Sequence, residues 1–200
     1  LSGLLELIYD EESPQEREQY IHLLGETVDK LEETIQYLNE VITIHSNLNA
    51  SKSQLPLNKY VDNILSLLQQ DVERHGVHIE KDIPDDFTVK AIPAYLESIL
   101  LNLISNAIKY RDPERSPRVL IFARCDTHYI VIGVSDNGLG IDLSQYREHL
   151  FGMYKTFHKN PEARGMGLFI VKNQVEALGG IIDVSSTPGE GSTFKVYLYD

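Results

Sequence analysis

The 200-residue sequence predicts an α+β protein, in which an N-terminal antiparallel helical hairpin precedes an α/β two-layer sandwich. Residues 14–49 carry a heptad series of apolar residues, which is typical of a helix that packs against other helices. After residue 56, helical patterns alternate with strand patterns, and no sustained parallel arrangement is indicated. The composition, 42% hydrophobic and 24% charged, suits a chain that buries a sizeable core.

The hairpin is predicted within residues 1–50. The segment 13–16, Ser-Pro-Gln-Glu, is a capping box with proline at the first helical position. The apolar seam that follows runs through Ile21, Leu24, Val28, Leu31, Ile35, Leu38 and Ile42. Because so long a seam cannot bury itself, we expect two copies to form a homodimer with a four-helix bundle. The alternative is that the hairpin packs on the chain's own second domain.

A linker is predicted at 51–56, where polar residues end in Pro56, and a second domain at 57–200. Helical patterns lie at 64–76, 93–110 and 165–178, and strand patterns at 77–83, 87–91, 118–123, 129–135, 181–185 and 193–199. The segment at about 141–164 is predicted to be a lid, because loops of this length are more often functional than idle.

Charge and composition exclude several classes of partner. The formal net charge of -12 argues against nucleic acid. No run approaches the roughly 18 apolar residues that cross a bilayer, so we expect a cytoplasmic chain without membrane contact of its own. The single cysteine, Cys125, lies in an apolar stretch and suits a reducing compartment. It is expected to be a small buried hydrophobe.

Four motifs in the second half are predicted to converge on one ligand. They are Asn102–Tyr110, Asp136–Gly140, Gly165–Leu168 and Gly189–Phe194. In the first motif, Asn102, Asn106, Lys109 and Tyr110 share one side of a helix. Asn106 can offer its carbonyl oxygen to Mg²⁺, Lys109 a charge to a phosphate, and Tyr110 a ring to a base or ribose. The alternative for this motif alone is the wet face of an amphipathic helix.

The second motif places Asp136 at the end of an apolar strand. A half-buried carboxylate there needs a donor, and an adenine amino group is one. Gly138 and Gly140 allow the backbone to approach a ligand closely. An ordinary Asp-Asn-Gly turn is the alternative.

The third motif opens the last long helix. Its residues are Gly165, Met166, Gly167 and Leu168. Free N–H groups at a helix start make an anion site for phosphates. Lys155, His158 and Arg164 in the lid are candidate phosphate contacts, with a solvated surface as the alternative. In the fourth motif, Thr193 is expected to face the base.

Over residues 55–200 the motifs resemble the catalytic ATP-binding domain of sensor histidine kinases, within the Bergerat-fold ATPases. Residues 102–110 look like the N box of that family, 136–140 the G1 box, 151–154 the F box and 165–168 the G2 box, and 189–194 match the last turn. The helical hairpin is similar to the family's dimerisation and phosphotransfer domain.

The resemblance implies ATP and Mg²⁺ as cofactors, with Asn102, Asn106 and Lys109 as the catalytic set. It implies that Asn106 binds the metal, that Asp136 binds the adenine amine, and that Gly165 and Gly167 lie beneath the phosphates. It further implies transfer of the γ-phosphoryl group to a histidine and then to an aspartate of a response regulator.

The chain departs from the family pattern at two points. Ala163 stands where the G2 box usually begins with glycine, and none of the seven histidines has the acidic neighbour and downstream proline of the phospho-acceptor. We therefore expect the hairpin to be truncated before that histidine and this chain alone not to autophosphorylate. A Bergerat-fold ATPase and a non-catalytic dimeric nucleotide-binding signalling module are the alternatives. The ATPase relatives use a Glu base where Asn102 stands.

Overall fold

The computed structural model describes Ser13 and residues 15–25, 27–28, 51–126, 128–152 and 166–199. The chain divides into two compact units, Leu1–Ser46 and Asn47–Asp200. Within the described residues, no helix has the length and apolar character needed to cross a membrane.

In the first unit, residues 15–25 form a helix. Ser13 Oγ accepts a hydrogen bond from the Glu16 backbone N–H at 3.5 Å, which is the serine half of the predicted capping box. Ile21 and Val28 of the predicted seam are 54% and 37% exposed. The first helix of the predicted hairpin, within residues 1–12, lies outside the described residues. So do the later seam positions Leu31, Ile35, Leu38 and Ile42. The hairpin and its pairing stay predictions.

The second unit contains seven described strands and five described α-helices. It begins with β1 (Ser53–Pro56), α1 (Leu57–Leu67), α2 (Gln69–His75), β2 (His78–Asp82), β3 (Thr88–Ala91) and α3 (Pro93–Lys109). It continues with β4 (Arg118–Cys125), β5 (Tyr129–Asp136), α4 (Leu143–Tyr146), a 3-10 turn at Arg147–His149, α5 (Gly167–Ala177), β6 (Ile181–Thr187) and β7 (Gly191–Tyr199).

Five strands form one sheet in the order β2-β4-β5-β7-β6, and β1 pairs with β3 in a separate two-stranded sheet. All pairs are antiparallel except β2 and β4, which run parallel. The parallel pair follows from the connection between them, because the chain crosses through β3 and α3 before it returns.

One face of the five-stranded sheet is covered by helices. Alternate residues of the central strands are buried, with Val119, Ile121 and Ala123 on β4, Ile130, Ile132 and Val134 on β5, and Phe194, Val196 and Leu198 on β7. Helix α3 contacts β4 and β5, and α1 and α5 pack against α3. This period-2 burial is what a sheet with one packed face requires. The predicted helix-and-sheet fold is confirmed for the second unit.

Two local predictions are wrong. Part of the predicted linker at 51–56 is strand β1, which buries Leu55 against the core and pairs Ser53 with Ala91. A four-residue strand with one buried residue is too short for its alternation to be recognised. Cys125 is exposed rather than buried. Cys125 lies on the same face of β4 as the buried Val119, Ile121 and Ala123. It is the last residue of that strand, however, and is not buried there.

Candidate nucleotide-binding site

Helix α3 crosses between two parts of the predicted site. Near its middle, the half-buried Asn102 donates from Nδ2 to the Ser98 carbonyl at 2.9 Å. Its Oδ1 lies 2.5 Å from where a Cβ on Gly167 would stand, so Asn102 packs against the start of α5. Any side chain at position 167 would have to displace that amide. The two helices are therefore in close contact at the third sequence motif.

The end of the same helix reaches the second motif. The Tyr110 carbonyl, which follows the last helical residue, accepts a hydrogen bond from the Leu139 N–H at 2.9 Å. The Lys109 Nζ lies 6.0 Å from the centroid of the half-buried Tyr110 ring. Burial raises the pKa of the Tyr110 hydroxyl, which keeps that ring neutral.

Asn106 lies one helical turn from both of these contacts, four residues after Asn102 and four before Tyr110. It is half-buried, and its side chain makes no hydrogen bond with any residue that the structure describes. Its amide oxygen is therefore available to a ligand. The described residues contain no cluster of three or more His, Cys, Asp or Glu side chains that could hold a metal ion by themselves. A cation here would need further ligands from a bound molecule or water, as Mg²⁺ commonly has.

Asp136 is the last residue of β5 and stands opposite Ser192 of β7. Its Oδ1 accepts hydrogen bonds from the backbone N–H groups of Gly138 at 2.8 Å and Ser192 at 3.3 Å. Among described residues both donors reach Oδ1, so Oδ2 keeps its acceptor capacity. Burial raises the pKa of the carboxyl to about 6, against the opposing effects of these two hydrogen bonds and of the Arg115 charge.

The glycines of the second motif are required by close backbone packing. A Cβ on Gly138 would stand 2.3 Å from the Tyr110 carbonyl oxygen. Gly140 has φ +69°, and a Cβ on it would stand 1.9 Å from the carbonyl oxygen of Thr187. Both distances are far below van der Waals contact, so these positions admit no larger residue without backbone movement. The sequence predicts these glycines for close approach to a ligand. The structure gives a further reason, because the backbone at both positions packs closely against other backbone atoms of the protein.

Residues 137–141, which we call the Asp136 loop, are held by hydrogen bonds to the end of β6 and to the turn that follows it. The Leu139 carbonyl accepts from the Gly189 N–H at 2.8 Å. The Ile141 N–H donates to Ser186 Oγ at 2.7 Å, and that hydroxyl in turn donates to the Gly191 carbonyl at 2.8 Å. Because the Ser186 proton is engaged there, the Ser192 hydroxyl at 2.9 Å is the donor of their mutual bond.

The side chain after Asp136 anchors the other side of the loop. Asn137 Oδ1 accepts from the Arg118 N–H at 2.7 Å, and Asn137 Nδ2 donates to the Ser116 carbonyl at 3.0 Å. Arg115 Nη2 donates to the Gly138 carbonyl at 2.7 Å. An isolated Asp-Asn-Gly turn needs none of these long-range bonds, so the alternative of an ordinary turn does not describe this loop.

Thr193 is not brought to the site. It stands opposite Ser135 on the face of the sheet away from the buried core residues, and the two hydroxyl oxygens are 2.7 Å apart. Successive residues of a strand point to opposite faces, so Ser192, and not Thr193, shares a face with Asp136. The signal was present in the sequence, because counting back by two from the apolar Phe194 places Ser192 on the packed face. Arg115 is a second residue that sequence reasoning missed.

At the third motif, α5 begins at Gly167, and Leu168 is half-buried. Met166 is only 2% exposed, so its side chain belongs to the core, and what it can offer a ligand is backbone. The predicted contacts Lys155, His158, Arg164 and Gly165 lie outside the described residues, as do Ala163 and the second half of the lid, residues 153–164. They stay predictions.

Comparison with known proteins places the chain in a family. A family model described as histidine kinase-, DNA gyrase B-, and HSP90-like ATPase matches residues 91–200. The phytochrome-like protein Cph1 of Synechocystis is 32% identical over 196 residues, covering 96% of this chain and 25% of that protein. The sensor histidine kinase YcbM of Bacillus subtilis is 31% identical over 206 residues, covering 98% of this chain and 65% of the relative.

Solved structures show the same fold. The Acinetobacter baumannii histidine kinase AdeS matches with a TM-score of 0.71 at 19% identity, covering 99% of this chain and 92% of that chain. The catalytic domain of histidine kinase ThkA matches with a TM-score of 0.64 at 19% identity, covering 74% of this chain and 97% of that chain. The chain spans about a quarter of the length of the first curated relatives, at 25%, 24% and 25%.

Proposed function

Because the chain belongs to the histidine kinase-, DNA gyrase B-, and HSP90-like ATPase family, we propose that its second unit binds Mg-ATP and supplies the γ-phosphoryl group to a histidine. Its similarity to sensor histidine kinases identifies that unit as a catalytic ATP-binding domain of their type. Onward transfer to an aspartate of a response regulator, and a homodimer formed through the helical hairpin, belong to the same proposal. The exposure of Ile21 and Val28 supports the dimer, since exposed apolar side chains at heptad positions favour a helical partner.

The observation that carries the proposal is the arrangement of sites along α3. Asn102 contacts the start of α5, and Tyr110 contacts the Asp136 loop. Tyr110 follows Asn102 by eight positions, which corresponds to about 12 Å at 1.5 Å per residue. A nucleotide with its adenine at Asp136 and its phosphates at the start of α5 would lie along this stretch, with Asn106 between the two ends.

Each end suits its part of the nucleotide. Asp136 Oδ2 would accept a hydrogen bond from the adenine amino group, and the N–H groups at the start of α5 would bind phosphate oxygens. Asn106 and Lys109 would hold Mg²⁺ and a phosphate. The metal, when bound, would neutralise charge on the phosphates. Because transfer to an imidazole nitrogen needs no strong base, the protein contributes mainly position and charge.

Hydrolysis of ATP is not supported. Asn102 stands where the ATPase relatives have a general base, and its amide has no basic group. Its Nδ2 is, in addition, bound to the Ser98 carbonyl of its own helix.

Replacing Asn106 by Ala should remove most of the contribution of Mg²⁺ to ATP affinity. The lost amide oxygen is a ligand of the hard cation, and we expect ATP affinity in Mg²⁺ to fall about tenfold, the effect of losing one strong polar contact. Affinity in EDTA should change little. Titration calorimetry in both conditions measures the difference. Asn63→Ala, at an exposed position on α1, is the matched control. Equal Mg²⁺ dependence in Asn106→Ala and the unaltered chain would count against the assignment.

Nucleotide affinity should decrease as the pH falls below about 6. The raised pKa of Asp136 means that its acceptor form is lost near this pH, and binding to the ionised form alone costs about tenfold in affinity per pH unit below the pKa. Carbon-13 NMR of the Asp136 carboxyl, with and without ADP, measures the titration without interference from phosphate ionisation. ADP should lower the midpoint. If the titration midpoint of Asp136 is the same with and without ADP, Asp136 does not contact the adenine.

A further inference from the structure

Arg115 lies in the segment 110–117 between α3 and β4 and is held there by Asp112. The Asp112 carboxylate accepts from the Glu114 N–H at 2.9 Å and from Arg115 Nε at 3.0 Å, and the Asp112 carbonyl accepts from the Arg115 N–H at 3.3 Å. The two side chains are 33% and 21% exposed, for Arg115 and Asp112 respectively. An aspartate that bonds to the backbone two residues ahead forms a tight local turn, which fixes where Arg115 points.

The guanidinium reaches from this turn to the Asp136 loop. Its Nη2 donates to the Gly138 carbonyl at 2.7 Å, while Nε stays on Asp112. The same peptide unit, Gly138 to Leu139, donates its N–H to the Tyr110 carbonyl at 2.9 Å. Both ends of this peptide are therefore held by one segment of chain. The preceding N–H, that of Gly138, is thereby aimed at Asp136 Oδ1.

Arg115 also acts on Asp136 through its charge. Of the described residues it is the charged group that lowers the pKa of the Asp136 carboxyl, and the other groups that do so are the N–H groups of Gly138 and Ser192. Burial acts in the opposite direction. A nearby cation favours the ionised carboxylate. Both oxygens of the ionised carboxylate can accept hydrogen bonds, so Oδ2 can accept from an amino group while Oδ1 is held by the backbone.

We infer that Arg115 is a positioning residue of the nucleotide site: its fork between Asp112 and the Gly138 carbonyl fixes the Asp136 loop and keeps Asp136 able to accept from the adenine amine. This inference rests on the proposed function and adds a residue outside all four sequence motifs. The role requires arginine, because a lysine ammonium keeps the charge but cannot offer two nitrogens in a fixed planar fork.

Two substitutions separate the geometric part of this role from the electrostatic part. Arg115→Gln removes both the fork and the charge. We expect ATP affinity about tenfold lower, a higher titration midpoint for Asp136, and faster hydrogen exchange at the Leu139 amide. Arg115→Lys keeps the charge, so the Asp136 midpoint should stay near that of the unaltered chain, while affinity falls and Leu139 exchange accelerates.

The three measurements are calorimetry with ATP, carbon-13 NMR of the Asp136 carboxyl and hydrogen exchange of the Leu139 amide. The control is Arg74→Gln, on the exposed end of α2, which should leave all three unchanged. If Arg115→Gln keeps both affinity and midpoint, even with a lower melting temperature, the residue is merely structural and the inference fails. Should Arg115→Gln not fold, Arg115→Lys decides by its affinity and exchange. If the unaltered chain binds no ATP, the proposed function fails, and the titration and exchange still report on the loop.

Discussion

Substituting Asp136 by Asn is expected to abolish nucleotide binding while the fold persists. The amide keeps an oxygen that can accept from the Gly138 and Ser192 N–H groups, which bind Oδ1 at 2.8 and 3.3 Å. It replaces Oδ2 by an NH₂ group, so a donor would face the adenine amino donor. Loss of a hydrogen bond to a charged group, with an unpaired donor left behind, costs about 3 kcal/mol or more, which is at least a hundredfold in affinity.

The Asp136→Asn substitution should not lower the free energy of unfolding and is expected to raise it. Because the folded state raises the pKa of Asp136 to about 6, folding stabilises its protonated form, and that contribution is lost as the pH rises through 6. At pH 7 the buried carboxylate therefore opposes folding. The neutral Asn variant should unfold at the same urea concentration as the unaltered chain or at a higher one.

Calorimetry with ATP and urea denaturation at pH 7 test both parts. Asp183→Asn is the matched control, since Asp183 lies on β6 and is exposed, and among the described residues its side chain makes only a long ion pair with Arg147 at 3.8 Å. It should leave ATP affinity unchanged. Unaltered affinity in Asp136→Asn would disprove the adenine assignment, and a large loss of stability would show that the carboxylate holds the loop.

The sequence predicted well those features that depend on local pattern. The long helix through Asn102 and the strand that ends at Asp136 have strong periodicity, and both lie where they were predicted. Glycine at 140 was also singled out, because it allows the backbone to approach a ligand closely. Its partner, the Thr187 carbonyl, could not be, because residues far apart in the sequence meet only once the strands are ordered.

What the sequence could not supply is the pairing between segments. Arg115 lies in a polar stretch without periodicity, and nothing local relates it to Gly138, which is 23 residues away. The parallel contact of β2 with β4 likewise depends on the crossover and not on either strand. Thr193 is a different case, because the alternation of side chains along a strand already indicates that Ser192, and not Thr193, lies beside Asp136.

Substituting Gly140 by Ala is expected to cause the largest loss of stability in the second unit's loops. Gly140 has φ +69°, a conformation that costs an alanine about 1 kcal/mol. The new Cβ would also stand 1.9 Å from the Thr187 carbonyl oxygen and 2.7 Å from its carbon. Both are backbone atoms, so a change of side-chain rotamer cannot relieve the overlap, and we expect a total loss of about 3 kcal/mol or more.

Gly189→Ala separates the conformational cost from the overlap. Gly189 also has positive φ, at +79°, but a Cβ there would meet no atom of the described residues within 4 Å. It should lose only about 1 kcal/mol in urea denaturation. Relief of the overlap at Gly140 would require the turn between β6 and β7 to move away from the Asp136 loop, which would break the bonds from Gly189 to Leu139 and from Ile141 to Ser186. If both variants lose the same unfolding free energy, the Asp136 loop and the turn can separate at little cost. The packing between them would then contribute little to positioning Asp136.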